Sequence, residues 1–233
     1  KLTKVYRAGE VEVPAVTALD LTIERGEFMA IAGPSGSGKT TLLNLISGLD
    51  KPTSGDAYLA GVPIADMNGR QLADFRRDHV GFIFQSYNLI PVLTVRENVE
   101  YVMLLQGVPA SERRRRVADI LADVGLADMD NRRPPQLSGG QQQRVAVARA
   151  MVSDPDIVLA DEPTANLDST SGAELIDMMR DLIRTRGMTF IFSTHDEMIM
   201  GRADRLVLLK DGRLDNDIRR DLQRDIQRDT ADG

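Results

Sequence analysis

Apolar positions change period several times along the chain, and each change marks an element. Leu19, Leu21 and Ile23 alternate with Asp20 and Thr22, which predicts a half-buried strand over 19–23. The glycine-bearing stretch 24–27 turns the chain, and the unbroken apolar run 28–32 predicts a buried strand. Glycines follow. Leu42, Leu45, Ile46 and Leu49 then share one helix face until Pro52, Ser54 and Gly55 break the pattern. Residues 58–61 and 80–84 predict further strands.

From about 90 to 150 the helical period takes over. Thr94 and Glu97 form a capping box ahead of Val99, Val102 and Met103, which share one face. Ser111 opens a second helix, with Val117, Ile120, Leu121 and Val124 inward and Gly125 as its stop. Strand–helix alternation then returns. A strand over 157–160 precedes a helix carrying Leu175, Met178, Met179, Leu182 and Ile183 as far as Gly187. A strand follows at 190–192, and another at 206–209 runs into a hairpin-like turn at Asp211 and Gly212. This alternation predicts an α/β domain with a mainly parallel sheet, the helical stretch forming its own lobe. The domain ends at Arg213. Beyond it Leu214, Ile218, Leu222 and Ile226 recur every four residues among Asp and Arg. That spacing predicts a charged helical tail over 214–233, either a solvated extension or a docking helix for a partner or second copy.

Composition narrows the function classes. The 233 residues are 42% apolar, enough for one large domain with a substantial core. A net charge of −6 argues against nucleic-acid binding through a general basic surface. The arginine run 113–116 reads as a solvated helix face or as a contact for acidic lipid or a partner. The absence of cysteine rules out disulfides and thiolate metal sites. No apolar run approaches the roughly 20 residues of a membrane span. No signal peptide is recognisable, so the expectation is a soluble chain whose membrane role comes through a partner.

Three stretches carry chemistry. Gly33, Pro34, Ser35, Gly36, Ser37, Gly38, Lys39 and Thr40 fit G-x-x-x-x-G-K-[ST] between a strand and a helix. Backbone N–H groups there close round phosphates, Lys39 supplies charge to the β- and γ-phosphates, and Thr40 offers its hydroxyl to Mg²⁺. Thr41 adds a hydroxyl for the α-phosphate. The strand 157–160 ends in Asp161, suited to the Mg²⁺ shell, and Glu162, suited to polarise an attacking water. The third stretch is Leu137, Ser138, Gly139, Gly140 and Gln141. Small residues and a serine at a helix start make either a second anion site or an ordinary serine-capped helix.

With these motifs together the chain resembles an ABC-type ATPase subunit from about Tyr6 to Arg213. The resemblance implies a P-loop NTPase (RecA-like) core with an antiparallel β subdomain and an inserted α-helical subdomain. It implies ATP and Mg²⁺ as ligands, and hydrolysis with Glu162 as base. It makes 137–141 the signature motif, whose Ser138, Gly139, Gly140 and Gln141 meet nucleotide held by a second copy in a head-to-tail ATP sandwich. Gln85 matches the glutamine that touches Mg²⁺ or the attacking water. Asn166, Leu167 and Asp168 match a loop crossing the dimer interface, and Ala165 departs from the glycine or serine common there. His195 matches the histidine that contacts the γ-phosphate, and Tyr6 the aromatic that stacks on adenine. Alone, each of these has a plainer reading: a solvated loop glutamine, a turn into a helix, a satisfied polar histidine, a tyrosine packed on the core. The order of the set carries the resemblance. The run from Phe75 through Gln85 to Val99 is similar to the lipoprotein-release, macrolide-export and cell-division branch (LolD-, MacB- and FtsE-like). That branch implies integral membrane permease partners and a place at the cytoplasmic face of the inner membrane, with no direct nucleic-acid contact. The alternative is a soluble ABC ATPase acting on nucleic acid or ribosomes.

Overall fold

A computed structural model describes residues 1–220. The chain opens as an antiparallel pair, β1 (Leu2–Ala8) and β2 (Val11–Leu19), with Tyr6 opposite Val13. The alternation at Leu19, Leu21 and Ile23 predicts a strand, yet the chain leaves strand conformation after Leu19. Leu19 already pairs with Leu2 at the start of β1, so no partner remains for the next residues. Leu21 and Ile23 still pack on the core, so the alternation reports burial without pairing.

β3 (Phe28–Ala32) is buried at every position. It leads through the glycine-rich turn into α1 (Lys39–Ile46), which buries Leu42, Leu43 and Leu45. Leu49 falls beyond the helix and is exposed. The expected strand over 58–61 is a small hairpin, β4 (Tyr58–Leu59) with β5 (Val62–Pro63). α2 (Gly69–His79) follows, started by a capping box between Asn68 and Gln71. β6 (Val80–Ile83) comes next.

The capping box of Thr94 and Glu97 starts α3 (Val95–Leu105), as its spacing predicts. α4 (Ala110–Asp123) begins one residue ahead of Ser111, with Pro109 rather than a capping side chain before it. Three of its arginines are paired: Arg113 with Glu100, and Arg115 and Arg116 with Glu112. α5 (Gly139–Met151) packs against α3, α4 and β6. Then come β7 (Ile157–Asp161), α6 (Ser169–Arg186), β8 (Thr189–Thr194), α7 (Glu197–Arg202) and β9 (Arg205–Lys210).

Where a helix is expected after Arg213, the structure has β10 (Arg213–Arg219), antiparallel to β9. Spacing of four suits an ideal strand as well as a helix, but here a bulge between Leu214 and Asn216 sets Leu214 opposite Leu209 and Ile218 opposite Leu206, on opposite faces of the sheet. The β9 edge decides between them by offering a backbone partner. Leu222 and Ile226 lie outside the described residues.

The main sheet runs β10-β9-β3-β8-β7-β6, parallel throughout except for β10. Parallel strands covered on both faces carry apolar side chains at every position. Phe28, Ala30, Val158, Ala160, Phe190 and Phe192 face one core, shared with the apolar faces of α3 to α7. Met29, Ile31, Leu159, Ile191 and Val207 face the other, closed by α1, α2, Leu2 and Val16. Because β3, β6, β7 and β8 are parallel, the residues that follow them emerge at one edge of the sheet. Ala32 lies opposite Thr194, Ile83 opposite Ala160, and Asp161 opposite Ser193.

Candidate active site

That shared edge gathers the glycine-rich loop, Gln85, Asp161, Glu162 and His195. The loop's glycines are required by space as well as by backbone angle. Gly33 has φ +154, and a Cβ there would stand 2.2 Å from Leu209 O; Gly38 has φ +99, and a Cβ there would stand 2.3 Å from Ala15 O. Gly212 N donates to Ser37 O, so the β9–β10 turn braces the loop from outside. Ser37 is 2% exposed, and its Oγ has no hydrogen-bond partner. Lys39, the first residue of α1, arches its Nζ back to Gly33 O at 2.8 Å and Pro34 O at 3.0 Å. A loop of crowded glycines, an orphaned hydroxyl and a lysine at a helix start fits a polyphosphate.

Thr40 Oγ1 lies 3.4 and 3.3 Å from the two carboxylate oxygens of Asp161. A hydroxyl facing a carboxylate is a hard oxygen pair, the donor type Mg²⁺ takes together with nucleotide phosphates. Glu162 follows at once, with φ +47, a left-handed conformation unusual for a residue with a Cβ. Its amide donates to Ser193 O at 2.9 Å, which locks the turn to β8. Its carboxylate stands 2.7 Å from His195 Nδ1 and accepts from Thr194 Oγ1 at 3.4 Å. His195 keeps most of its ring in solvent, while Glu162 is largely covered.

Gln85 is exposed just past β6, and its backbone carbonyl accepts from Asn166 Nδ2 at 2.8 Å. Tyr6 projects from β1. Its hydroxyl donates to Asp50 at 2.8 Å, and Lys4 Nζ lies 4.8 Å from its ring centre. Burial raises the phenol above its ordinary pKa, Asp50 adds to that, and the Thr41 hydroxyl works in the opposite sense. Tyr6 therefore neighbours the first turn of α1, with its ring partly open.

Ser138 to Gln141 lie at the start of α5. Ser138 caps α5: its Oγ accepts from Gln141 N at 3.3 Å, and Gln141 Oε1 accepts from Ser138 N at 3.0 Å. The ordinary serine cap is therefore present. It leaves the Gly139 and Gly140 amides, the first of the helix, without intrahelical acceptors. No hydrogen bond among the described residues joins this turn to 33–41. Asp168 is likewise a cap. It accepts from the Thr170 and Ser171 amides, and the Ser171 hydroxyl and amide hold its carboxyl below the usual range.

Supporting residues carry no sequence signal. Gln143, fully buried on α5, donates to Pro163 O at 2.7 Å, behind Glu162. Thr164 Oγ1 lies 3.2 Å from Asp196 Oδ2, linking the turn after β7 to the turn after β8. Such contacts join side chains to single backbone or carboxylate atoms, which no periodicity marks.

The chain is similar to known proteins in sequence and in fold. The ABC transporter family pattern matches residues 16–165. A macrolide export ATP-binding/permease protein MacB of Hyphomonas neptunium is 46% identical over 93% of this chain. The chain spans only 33% of that longer protein. A lipoprotein-releasing system ATP-binding protein LolD of Chromohalobacter salexigens is 43% identical, covering 93% of this chain and 91% of its own. Among solved structures, a dimeric post-hydrolysis state of the ATP-binding cassette MJ0796, bound to ADP and Pi, superposes with a TM-score of 0.85. That cassette is 42% identical over 94% of this chain and 96% of its own.

Proposed function

This chain belongs to the ABC transporter family as an ATP-hydrolysing subunit; from that premise we propose that two copies share each active site and that their closure on ATP drives membrane subunits. The observation that carries the reading is a helix start whose Gly139 and Gly140 amides have no acceptor and which makes no hydrogen bond to the loop 33–41 among the described residues. A helix start with free amides and no ligand in its own chain is half of an anion site. The other half is the loop 33–40 of a second copy, in an isologous pair. Dimeric cassettes such as MJ0796 support this arrangement.

Within each site the residues take distinct roles. The loop amides from Gly33 to Gly38 and the Lys39 ammonium hold the β- and γ-phosphates, and Thr41 reaches the α-phosphate. Thr40, Asp161 and Gln85 are the residues that would hold Mg²⁺, which neutralises phosphate charge when bound. Glu162 takes the proton of the attacking water. His195 orients that carboxylate and faces the γ-phosphate. Tyr6 stacks on the adenine. Asp168 and Gln141 lie at the surface between copies.

The membrane partner docks on the helical side. Tyr101, Leu104 and Leu105 are exposed on α3, and Ile90 and Val92 are exposed on the loop before it. Asn98, 1% exposed, ties that loop to α3: it accepts from Ile90 N and donates to the Ile90, Leu93 and Thr94 carbonyls. Exposed apolar side chains on α3 and on the loop before it are the kind of surface that marks a partner site. No helix of the described residues is long and apolar enough to cross a membrane. Its likeness to the LolD and MacB proteins supports a place at the cytoplasmic face, working through permease subunits. Purification of the tagged chain from detergent-solubilised membranes tests this. Stoichiometric integral membrane proteins are expected, and ribosomes or DNA in their place would overturn it.

A further inference from the structure

Arg149 sits in the last turn of α5. Its Nη2 donates to Tyr87 O at 2.8 Å and its Nη1 to Asn88 O at 2.5 Å. With Asn166 on Gln85 O, the loop leaving β6 is gripped at the carbonyls of Gln85, Tyr87 and Asn88. Asn88 has φ +48, a local conformation that an asparagine tolerates and that the fork helps to hold. At the other end of α5 the Tyr87 hydroxyl lies against Gly139, where an added Cβ would stand 2.9 Å from it. One helix thus contacts the Gln85 loop through both its first residue and its last turn.

The cation is the unusual part. Burial lowers the Arg149 guanidinium below its ordinary pKa, and no carboxylate among the described residues acts against that. A half-buried charge spent only on carbonyls is a costly way to fill a helix face. A methionine or leucine would pack there without that cost. What arginine adds is a rigid fork that fixes adjacent acceptors at once, with charge-assisted bonds.

We propose that Arg149 is a positioning residue of the ATPase reaction: by clamping the Tyr87 and Asn88 carbonyls it sets where Gln85 stands at the nucleotide, and ties that position to the helix that begins at Ser138. The inference rests on the role given above to Gln85. The hydrogen bonds of the Arg149 guanidinium among the described residues go to the Tyr87 and Asn88 carbonyls.

A double-mutant cycle tests it. Gln85→Ala, Arg149→Met and the double variant of the full chain are compared for kcat, KM for Mg-ATP, ATP dissociation constant and Tm. Arg149→Met is expected to lower kcat about 10- to 100-fold, the cost of a misplaced group. ATP affinity stays within about threefold, since no phosphate contact is removed. The double variant turns over no more slowly than Gln85→Ala, because the clamp acts only through Gln85. Arg149→Lys keeps the charge without the fork, falls between parent and Arg149→Met, and carries the cycle if Arg149→Met does not fold. Parent-like turnover in Gln85→Ala would remove the role given to Gln85. A slow Gln85→Ala onto which Arg149→Met adds its full separate loss would overturn the clamp alone, as would a fall in Tm without a fall in kcat.

Discussion

His195 Nδ1 lies 2.7 Å from Glu162 Oε1, across the ends of two adjacent parallel strands. The contact depends on the left-handed turn at Glu162, which points its carboxylate along the sheet edge instead of away from it. The histidine thereby fixes one carboxylate oxygen and Thr194 approaches the other. A carboxylate held at both oxygens is preorganised for the general-base role proposed for it.

Glu162→Gln keeps the shape of that turn and removes the base. It should bind ATP like the parent, accumulate as a dimer on ATP, and lose about 10²- to 10⁴-fold in turnover. Steady-state phosphate release and size exclusion with ATP read both effects. Turnover at the parent rate would reassign the base.

Tyr6 has a ring partly open to solvent beside α1. Tyr6→Ala should weaken ATP binding about 2- to 10-fold, the loss of one aromatic stack of about 0.5–1.5 kcal/mol. Tyr6→Phe should bind within about twofold of the parent, although its bond to Asp50 is gone. Calorimetric titration decides. If Tyr6→Ala binds as the parent does, Tyr6 belongs only to the surface cluster with Lys4 and Asp50.

Acid should loosen the β10 edge through Asp217. Arg205, with a side chain 6% exposed, donates from Nε and Nη2 to the two oxygens of Asp217 at 2.8 and 2.7 Å, and from Nη1 to Glu27. The Arg205 hydrogen bonds hold the Asp217 carboxyl below its usual range. A carboxylate with a depressed folded pKa contributes its full stability above the unfolded value of about 3.9 and loses it as the pH falls through the folded value. Asp217→Asn should therefore cost about 1–2 kcal/mol at pH 7, near the low end for a charged hydrogen bond because Asp217 is partly solvated. In urea titrations that deficit should hold from pH 7 down to about pH 5 and shrink below about pH 4, as the pH falls towards the depressed folded pKa. A constant deficit would mean that the carboxylate charge contributes nothing.

Much of this architecture is legible in the sequence because burial leaves a pattern. The runs at 28–32, 157–160 and 190–192 are apolar at every position since both sheet faces are covered, and each ends beside a motif residue. The Thr94–Glu97 box is legible because two side chains at fixed spacing satisfy each other. β1 and β2 are not, since most of β2 is exposed and offers no clean alternation. α2 is polar apart from Leu72 and Phe75, too few positions to show a period. β10 is not legible either, since it is exposed along its length and a bulge between Leu214 and Asn216 breaks its alternation. Within the site, residue types and order are legible, whereas the Asn166 and Arg149 bonds to loop carbonyls are not. Backbone acceptors have no residue identity to recognise.

The sharing of one site between two copies is tested most directly by Ser138→Arg, assayed side by side for ATP binding and for hydrolysis. Ser138 makes no hydrogen bond to the loop 33–41 of its own chain, so the variant should bind ATP within about threefold of the parent. Its arginine would occupy the face that the second copy's phosphates need, and turnover should fall by about 10²-fold or more, the scale of losing a preorganised donor set. Binding and turnover both at parent levels would contradict a site completed by a second copy.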